Sequence, residues 1–135
     1  MSSTVTELHF EIRTNADWMQ PFTIYDYDAA LNQRTLHDFG GESLRMQVKG
    51  PIANRVIPTA VSLDLSTTNG LLMVGNDPTQ GKFSINLSGA NPQLNAMAQG
   101  EYVGDMLIFG ANGSITPLFI ARVRVHLGET VPQSS

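Results

Sequence analysis

Hydrophobic and polar residues alternate with a period of two along most of this chain. Every second side chain of a β-strand lies on the same face of its sheet, so such alternation predicts strands with one buried face. Six segments follow this pattern: Leu8–Ile12, Trp18–Ile24, Leu44–Val48, Val61–Leu65, Phe83–Leu87 and Val123–Val125. We therefore predict an all-β protein built from antiparallel strands, each with one face toward a core.

Turn residues separate these segments. Asn69-Gly70 and Asn112-Gly113 each lie between two apolar runs. Asn-Gly favours the tight turns of β-hairpins, because both central residues of a type I′ turn need a positive φ. We predict a hairpin at each pair, and the second one belongs to a long C-terminal hairpin that spans Gly100–Val125.

Proline marks two departures from regular alternation. Pro21 interrupts an apolar strand pattern and predicts an edge strand or a bulge, because proline cannot donate to the hydrogen-bond ladder. Pro92 stands near the start of Asn91–Met97, the one stretch that favours a short helical turn. No long helix is predicted.

The predicted strands require a two-layer structure. Burial of Phe83, Ile85 and Leu87 contributes roughly 5–9 kcal/mol, whereas ordering the backbone costs about 1–2 kcal/mol per residue. One hairpin therefore cannot stand alone, and two sheets packed face to face bury the apolar faces together. We predict one β-sandwich domain over 1–135, with its core in 6–127 and a short tail at 128–135; a closed barrel is the alternative.

Composition narrows the classes of function. Only 15% of residues are charged, below the ~25% of an ordinary domain, which suggests surfaces that are polar but neutral or covered by other subunits. The net charge is −4 and no basic cluster is visible, which argues against nucleic acid. The chain has no cysteine, no signal-like N-terminus and no apolar stretch that could span a bilayer. We expect a soluble protein made in a cytoplasm, without membrane insertion.

Little in the sequence points to catalysis. His9 and His126 fall on the polar side of their strands, which favours a solvated position. His37 and Asp38 follow Asp26 and Asp28, and such a group could ligate a metal or serve hydrolysis. We favour a polar loop, because the side chain of aspartate stabilises turns by hydrogen bonding to the backbone two residues further on. We expect no enzyme activity, no cofactor and no metal.

Three aromatic residues are candidates for an interface. Tyr25 and Tyr27 share the exposed side of one segment, and exposed tyrosines often anchor partners. Phe119 lies within the run Leu118–Ala121, whose four apolar residues suggest cover on both faces. One face belongs to the domain core, and the other could meet a second element of this chain or a neighbouring subunit. Trp18 favours a place in the core over a role in ligand binding.

The order of the elements resembles that of one family. The pattern runs through Trp18, Phe22, Tyr25-Asp26, Leu36, Gly40 or Gly41, Leu44–Lys49, Gly81–Ile85, Leu94, Gly100–Met106, Gly113 and Leu118–Val125. It is similar to the N-terminal immunoglobulin-like domain of the baseplate upper proteins of tailed phages, over about Thr14 to Val131. One departure is Asp28–Thr35, which is longer than the family's tight glycine turn and contains no glycine.

The resemblance implies an immunoglobulin-like sandwich with one short helical turn and a structural role in the virion. It implies a tail-tip or baseplate adaptor that docks tail fibres or receptor-binding proteins, present in several symmetric copies after synthesis in the bacterial cytoplasm. It carries no catalytic residues. Two alternatives remain: a carbohydrate- or receptor-binding module, with Tyr25, Tyr27 and Asp28–Thr35 in contact with a host-surface glycan, and a capsid-decorating protein.

Overall fold

The structure, a computed structural model, describes residues 6–128. Within that range the chain forms ten strands and two short helical turns. The strands are β1 (Thr6–Arg13), β2 (Trp18–Thr23), β3 (Tyr25–Asp28), β4 (Gln33–Leu36), β5 (Ser43–Lys49), β6 (Val61–Ser66), β7 (Leu72–Val74), β8 (Lys82–Leu87), β9 (Gly100–Phe109) and β10 (Ile115–His126). A 3-10 turn spans Pro78–Gln80, and α1 spans Pro92–Asn95. The N-terminus, most of the predicted tail at 128–135 and the end of the resemblance at Val131 lie outside the described residues.

Two sheets form the body of the domain. One has five strands in the order β1-β10-β9-β5-β6, and the other has three in the order β2-β8-β7. Their inward side chains share one core cluster, so the sheets pack face to face. Neighbouring strands are antiparallel except β1 and β10, which run parallel. The prediction of an all-β sandwich is confirmed, with this one parallel pair as an exception to its antiparallel pairing.

The connectivity is that of an immunoglobulin-like domain. Strands β2, β8 and β7 correspond to B, E and D of that fold, and β10, β9, β5 and β6 correspond to G, F, C and C′. Tyr102 lies near the start of β9, and its hydroxyl donates to the carbonyl of Ala98 at 2.7 Å. Such a tyrosine corner near the start of strand F is a hallmark of the fold. Burial raises the pKa of Tyr102, which keeps the hydroxyl in its neutral, donating form.

The core confirms the place predicted for Trp18 and corrects that of Phe119. Trp18 is 7% exposed, and its ring lies 5.5 Å from that of Phe10. Phe119 is 3% exposed and stacks 5.2 Å from Phe22. Phe119 shares the inward side of β10 with Ala121, Val123 and Val125, and the strand is bulged between Pro117 and Phe119. Phe119 is therefore a core residue in the folded domain and is not available to a neighbouring subunit.

The two Asn-Gly pairs have different roles. Asn112-Gly113 lies in the turn between β9 and β10, which confirms the C-terminal hairpin; the Gly110 N–H donates to the Ser114 carbonyl at 2.8 Å. The hairpin predicted at Asn69-Gly70 is wrong, because this turn joins β6 of one sheet to β7 of the other. The Asn69 side chain, not a strand pair, closes it by accepting from a backbone N–H on either side.

The two proline predictions agree with the structure. Pro21 lies in β2, an edge strand that pairs only with β8 among residues 6–128. The predicted helical turn is α1, where the Asn91 side chain caps the N–H groups of Gln93 and Leu94. In the part of the chain that the structure describes, no helix has the length and apolar character needed to cross a membrane.

Candidate functional site: an exposed tyrosine hairpin

The connection between β2 and β5 carries a small hairpin of its own. Strands β3 and β4 pair with each other and form a separate two-stranded sheet. The segment Asp28–Thr35, expected as a loop, therefore includes the turn and much of the second strand. Asn32 takes a left-handed φ of 49°, a conformation that asparagine tolerates better than most residues, and this explains how the turn forms without glycine.

The hairpin has two chemically different faces. Every residue of both strands is exposed. Because residues alternate in facing, Tyr25 and Tyr27 share one face with Arg34 and Leu36, their cross-strand neighbours. The other face carries Asp26, Asp28, Gln33 and Thr35. We call the first of these the tyrosine face; Tyr25 is 46% exposed and Tyr27 is 64% exposed.

Contacts within the hairpin orient its aromatic rings. The guanidinium carbon of Arg34 lies 4.3 Å from the centre of the Tyr25 ring, a cation–π distance. The Tyr27 hydroxyl donates to Asn32 Oδ1 at 2.6 Å. Both rings therefore have a preferred orientation before any partner arrives. Tyrosine and arginine are the residue types that most often dominate binding energy at protein interfaces.

His37 bridges two carboxylates at the base of the hairpin. Its ring is only 16% exposed, with Nδ1 3.0 Å from the Asp26 carboxylate and Nε2 2.6 Å from Glu42. A carboxylate only accepts hydrogen bonds, so both contacts together require the doubly protonated imidazolium. Burial opposes that charge, but the hydrogen bonds to Glu42 and Asp26 outweigh it and raise the pKa of His37. We call this group the histidine clamp.

Backbone hydrogen bonds join the base of the hairpin to the sandwich. The Ile24 N–H donates to the Gly81 carbonyl at 2.7 Å, and the Phe39 N–H donates to the Pro78 carbonyl at 3.0 Å. Gly81 has a φ of 68°, and a Cβ there would lie 2.5 Å from the Ile24 carbonyl oxygen, so glycine is required. Phe39 is 2% exposed and packs edge-on against Phe83. The hairpin thus projects from a well-supported base.

The structure brings together two residues of the suggested metal or hydrolytic group, His37 and Asp26, and gives Asp28 and Asp38 separate roles. His37 contacts Asp26 and Glu42, whereas Asp38 accepts from the Gly40 N–H and Asp28 caps the turn after β3. Across residues 6–128, no three His, Cys, Asp or Glu side chains are placed to hold a metal ion. Sequence reasoning missed Glu42, because its approach to His37 depends on how the 37–42 segment folds back.

The other two histidines lie on the outer side of the five-stranded sheet. The His9 side chain is 75% exposed and lies 3.3 Å from Glu7. His126 Nε2 lies 3.0 Å from a Glu11 oxygen. Their predicted positions on the polar side of β1 and β10 are confirmed.

Two solved structures show a distant likeness to this chain. No family model matches the chain, and no curated protein matches it. The soluble domain of PmoD from Methylocystis sp. (Rockwell) is 14% identical, with 86% of this chain and 77% of that chain covered at a TM-score of 0.41. Murine CRIg is 12% identical, with 87% and 92% covered at a TM-score of 0.33. Both likenesses are too low to carry an inference about function.

Proposed function

We propose that this chain is a structural docking domain of a tailed-phage virion, an adaptor at the tail tip or baseplate that joins fibres or receptor-binding proteins to the particle. The observation that supports it is the tyrosine face, which projects from an immunoglobulin-like body on a supported base. The resemblance to baseplate upper proteins supports a place in the phage tail, and the hairpin offers a contact surface there.

The geometry suits docking for two reasons. Tyr25 and Tyr27 offer large contact areas while restricting few side-chain torsions, and Arg34 already holds one ring in place, so binding orders little. Several copies related by the symmetry of a tail would then gain avidity from modest individual contacts. A domain with few charges is also compatible with extensive cover by neighbours.

The proposed role is non-catalytic. His37 is the partly buried histidine next to two carboxylates, but both of its nitrogens are bound to them. Neither nitrogen is left to transfer a proton to or from a substrate. Its two contacts with carboxylates therefore help to hold the hairpin in position.

Labelling of purified virions tests the proposal. Gold-conjugated antibodies against this chain should decorate the tail tip in electron micrographs, and virions without label would overturn the proposal. Label on the head instead would favour capsid decoration. Phage that carry Tyr25→Ala with Tyr27→Ala should lose fibres or receptor-binding proteins, whereas Met73→Ala, which removes an equally exposed apolar side chain from the sandwich, should not.

Glycan binding is a second candidate, favoured by the two exposed rings on one face beside a guanidinium. Aromatic faces stack on the apolar sides of sugar rings, and Arg34 could bind a sugar carboxylate. A glycan array should then show selective binding that Tyr25→Ala and Tyr27→Ala each weaken. An array without signal would count against this candidate and leave docking to proteins.

A further inference from the structure

The two sheets of the sandwich have four edge strands, and three of these edges are protected from pairing with another strand. In β2, Pro21 has no N–H to offer, and β7 is only three residues long. The edge of β6 is occupied, because Gln93 Oε1 accepts from the Asp64 N–H and the Asn69 side chain donates to the Asp64 carbonyl, both at 2.9 Å. Proline, short strands and covered edges are the usual means by which proteins prevent unwanted strand pairing.

The fourth edge strand, β1, has an open edge. It runs for eight residues without proline, and its pairing with β10 is regular throughout. The Thr14 N–H donates to the His126 carbonyl, so by alternation the main-chain groups of the even-numbered residues of β1 face β10. The groups that face away from β10 have no hydrogen-bond partner among residues 6–128, and they belong to Glu7, His9, Glu11 and Arg13. We call this row of donors and acceptors the β1 edge.

The side chains of β1 are self-complementary in one antiparallel register. A second copy of β1 can run antiparallel to the first with Phe10 of both copies at a two-fold axis. Glu7 of one copy then lies opposite Arg13 of the other, and a carboxylate binds a guanidinium well. His9 likewise lies opposite Glu11, which can accept from its ring N–H. A slip of two residues would instead set Glu7 against Glu11, or Glu11 against its own copy, so the charges select this register.

The same register also aligns the main chains. Facing residues in an antiparallel ladder alternate between hydrogen-bonded pairs and pairs without hydrogen bonds. In this register the odd-numbered residues, whose main-chain groups form the β1 edge, lie opposite one another as the hydrogen-bonded pairs. The even-numbered residues form the other pairs, which bring the two half-buried Phe10 rings together on the inner face and set Leu8 opposite Ile12. Main-chain and side-chain complementarity therefore favour the same arrangement.

The charges next to the β1 edge leave room for these contacts. Ion pairs on the outer side of β1, β10 and β9 join Glu7 to His9 and Arg122, Glu11 to His126, and Glu101 to Arg124. Arg13 has no ion-pair partner among residues 6–128. A carboxylate offers about four lone-pair sites, so Glu7 can accept from Arg13 of a second copy without losing Arg122. The pairing thus supplies a partner to a cation that has none in the single chain.

We infer that two copies of this chain pair through their β1 edges, antiparallel about a two-fold axis at Phe10, and so join their five-stranded sheets into one continuous sheet. The contact uses the same residues on both sides, and it closes after two copies. The inference goes beyond the proposed function and does not rest on it, because no residue of the tyrosine face takes part.

Reversal of the charge at Arg13 tests the pairing by sedimentation. The wild-type chain should form dimers in a concentration-dependent manner. Arg13→Glu should weaken dimerisation by about tenfold or more, because it sets two carboxylates opposite each other at both ends of the paired strands. Lys82→Glu is the matched control, since it makes the same charge change at an exposed position of the other sheet and should leave dimerisation unaltered.

Mixing two variants tests the register. Glu7→Lys alone should also weaken dimerisation, because it sets two cations opposite each other. An equimolar mixture of Glu7→Lys and Arg13→Glu should form mixed dimers, since both ends of the paired strands then join opposite charges. Failure of the mixture to dimerise would overturn the inference, as would an Arg13→Glu chain that dimerises like the wild type.

Hydrogen exchange of individual amides locates the contact on β1. In the single chain, β10 protects only the even-numbered amides of β1. As the concentration of the wild-type chain rises, the amides of Glu7, His9, Glu11 and Arg13 should become protected too. Odd-numbered amides that exchange as fast in a dimer as in the monomer would overturn the inference. A wild-type chain that stays monomeric at ~1 mM would also overturn it.

Discussion

The sandwich and the hairpin of this protein use similar alternating sequences for opposite purposes. In the sandwich, inward residues such as Met46, Leu65 and Ile85 are fully buried between two sheets. In the hairpin, Tyr25 and Tyr27 alternate in the same way, but no second sheet covers them. Alternation therefore creates an apolar face, and whether that face becomes core or contact surface depends on what packs against it.

The two regions also differ in what stabilises them. The sandwich depends on apolar burial, which contributes about 1.5–3 kcal/mol for each large side chain. An isolated two-stranded hairpin is at best marginally stable in water. The hairpin therefore depends on the histidine clamp and on the backbone hydrogen bonds at its base.

The largest expected effect is the removal of a ring from the sandwich. Phe119→Ala should lower the free energy of unfolding by about 3–5 kcal/mol, because it leaves a cavity next to Phe22 and Phe10. Urea denaturation measures the loss. A change below about 1 kcal/mol would mean that Phe119 is not a core residue.

A smaller loss is expected at the tyrosine corner. Tyr102→Phe keeps the buried ring but leaves the Ala98 carbonyl without its hydroxyl donor, so the free energy of unfolding should fall by about 1–2 kcal/mol. Tyr25→Phe, which removes an exposed hydroxyl, is the matched control and should be close to neutral. Equal effects of the two variants would contradict the importance of the corner.

The third effect should be local and depend on pH. The folded-state pKa of His37 is raised above its ordinary value of 6.5. The stabilisation from the clamp is therefore fully present below that value and is lost as pH rises through the folded pKa. Hydrogen exchange should show that amide protection in the hairpin, corrected for intrinsic rates, falls over this window, while sandwich amides remain protected.

His37→Gln provides the control for the clamp. Glutamine does not titrate, so hairpin protection should be low and should no longer fall with pH across the same window. A hairpin that keeps the wild-type pH response in this variant would show that another group causes it.

Removal of the Tyr27 ring should affect stability least, although Tyr27 is proposed to contact a partner. Tyr27→Ala should change the free energy of unfolding by no more than about 0.5 kcal/mol, because the side chain is mostly exposed. Circular dichroism and urea denaturation check this. A loss as large as that of Phe119→Ala would mean that the hairpin is part of the core.

Much of the fold could be predicted from local patterns. The segments around Leu8–Ile12, Leu44–Val48 and Phe83–Leu87 are strands, as alternation indicated, and their apolar positions face inward. The Asn91 cap and the hairpin at Asn112-Gly113 were also readable, because capping and turn formation involve residues close in sequence. Local interactions of this kind need no knowledge of the rest of the molecule.

The candidate site could be predicted only in part from the sequence. Tyr25 and Tyr27 were candidates because they lie on the same side of their segment. The hairpin that carries them was not predicted, since its turn uses Asn32 where a glycine was expected. Glu42 was missed because its contact with His37 arises from a fold-back of the chain. Phe119 was misplaced because every residue of Leu118–Ala121 is apolar, which hides the alternation that continues inward through Val123 and Val125.

By itself, the sequence determined the period-two alternation, the turn residues and therefore the all-β class. Only the tertiary structure decided which apolar faces meet each other and which remain open. The two Asn-Gly pairs show the reason. Asn112-Gly113 closes a hairpin, whereas the same dipeptide at Asn69-Gly70 connects a strand of one sheet to a strand of the other. Strand formation is encoded over a few residues, whereas the pairing of strands and the cover of their faces depend on contacts between residues far apart in the chain.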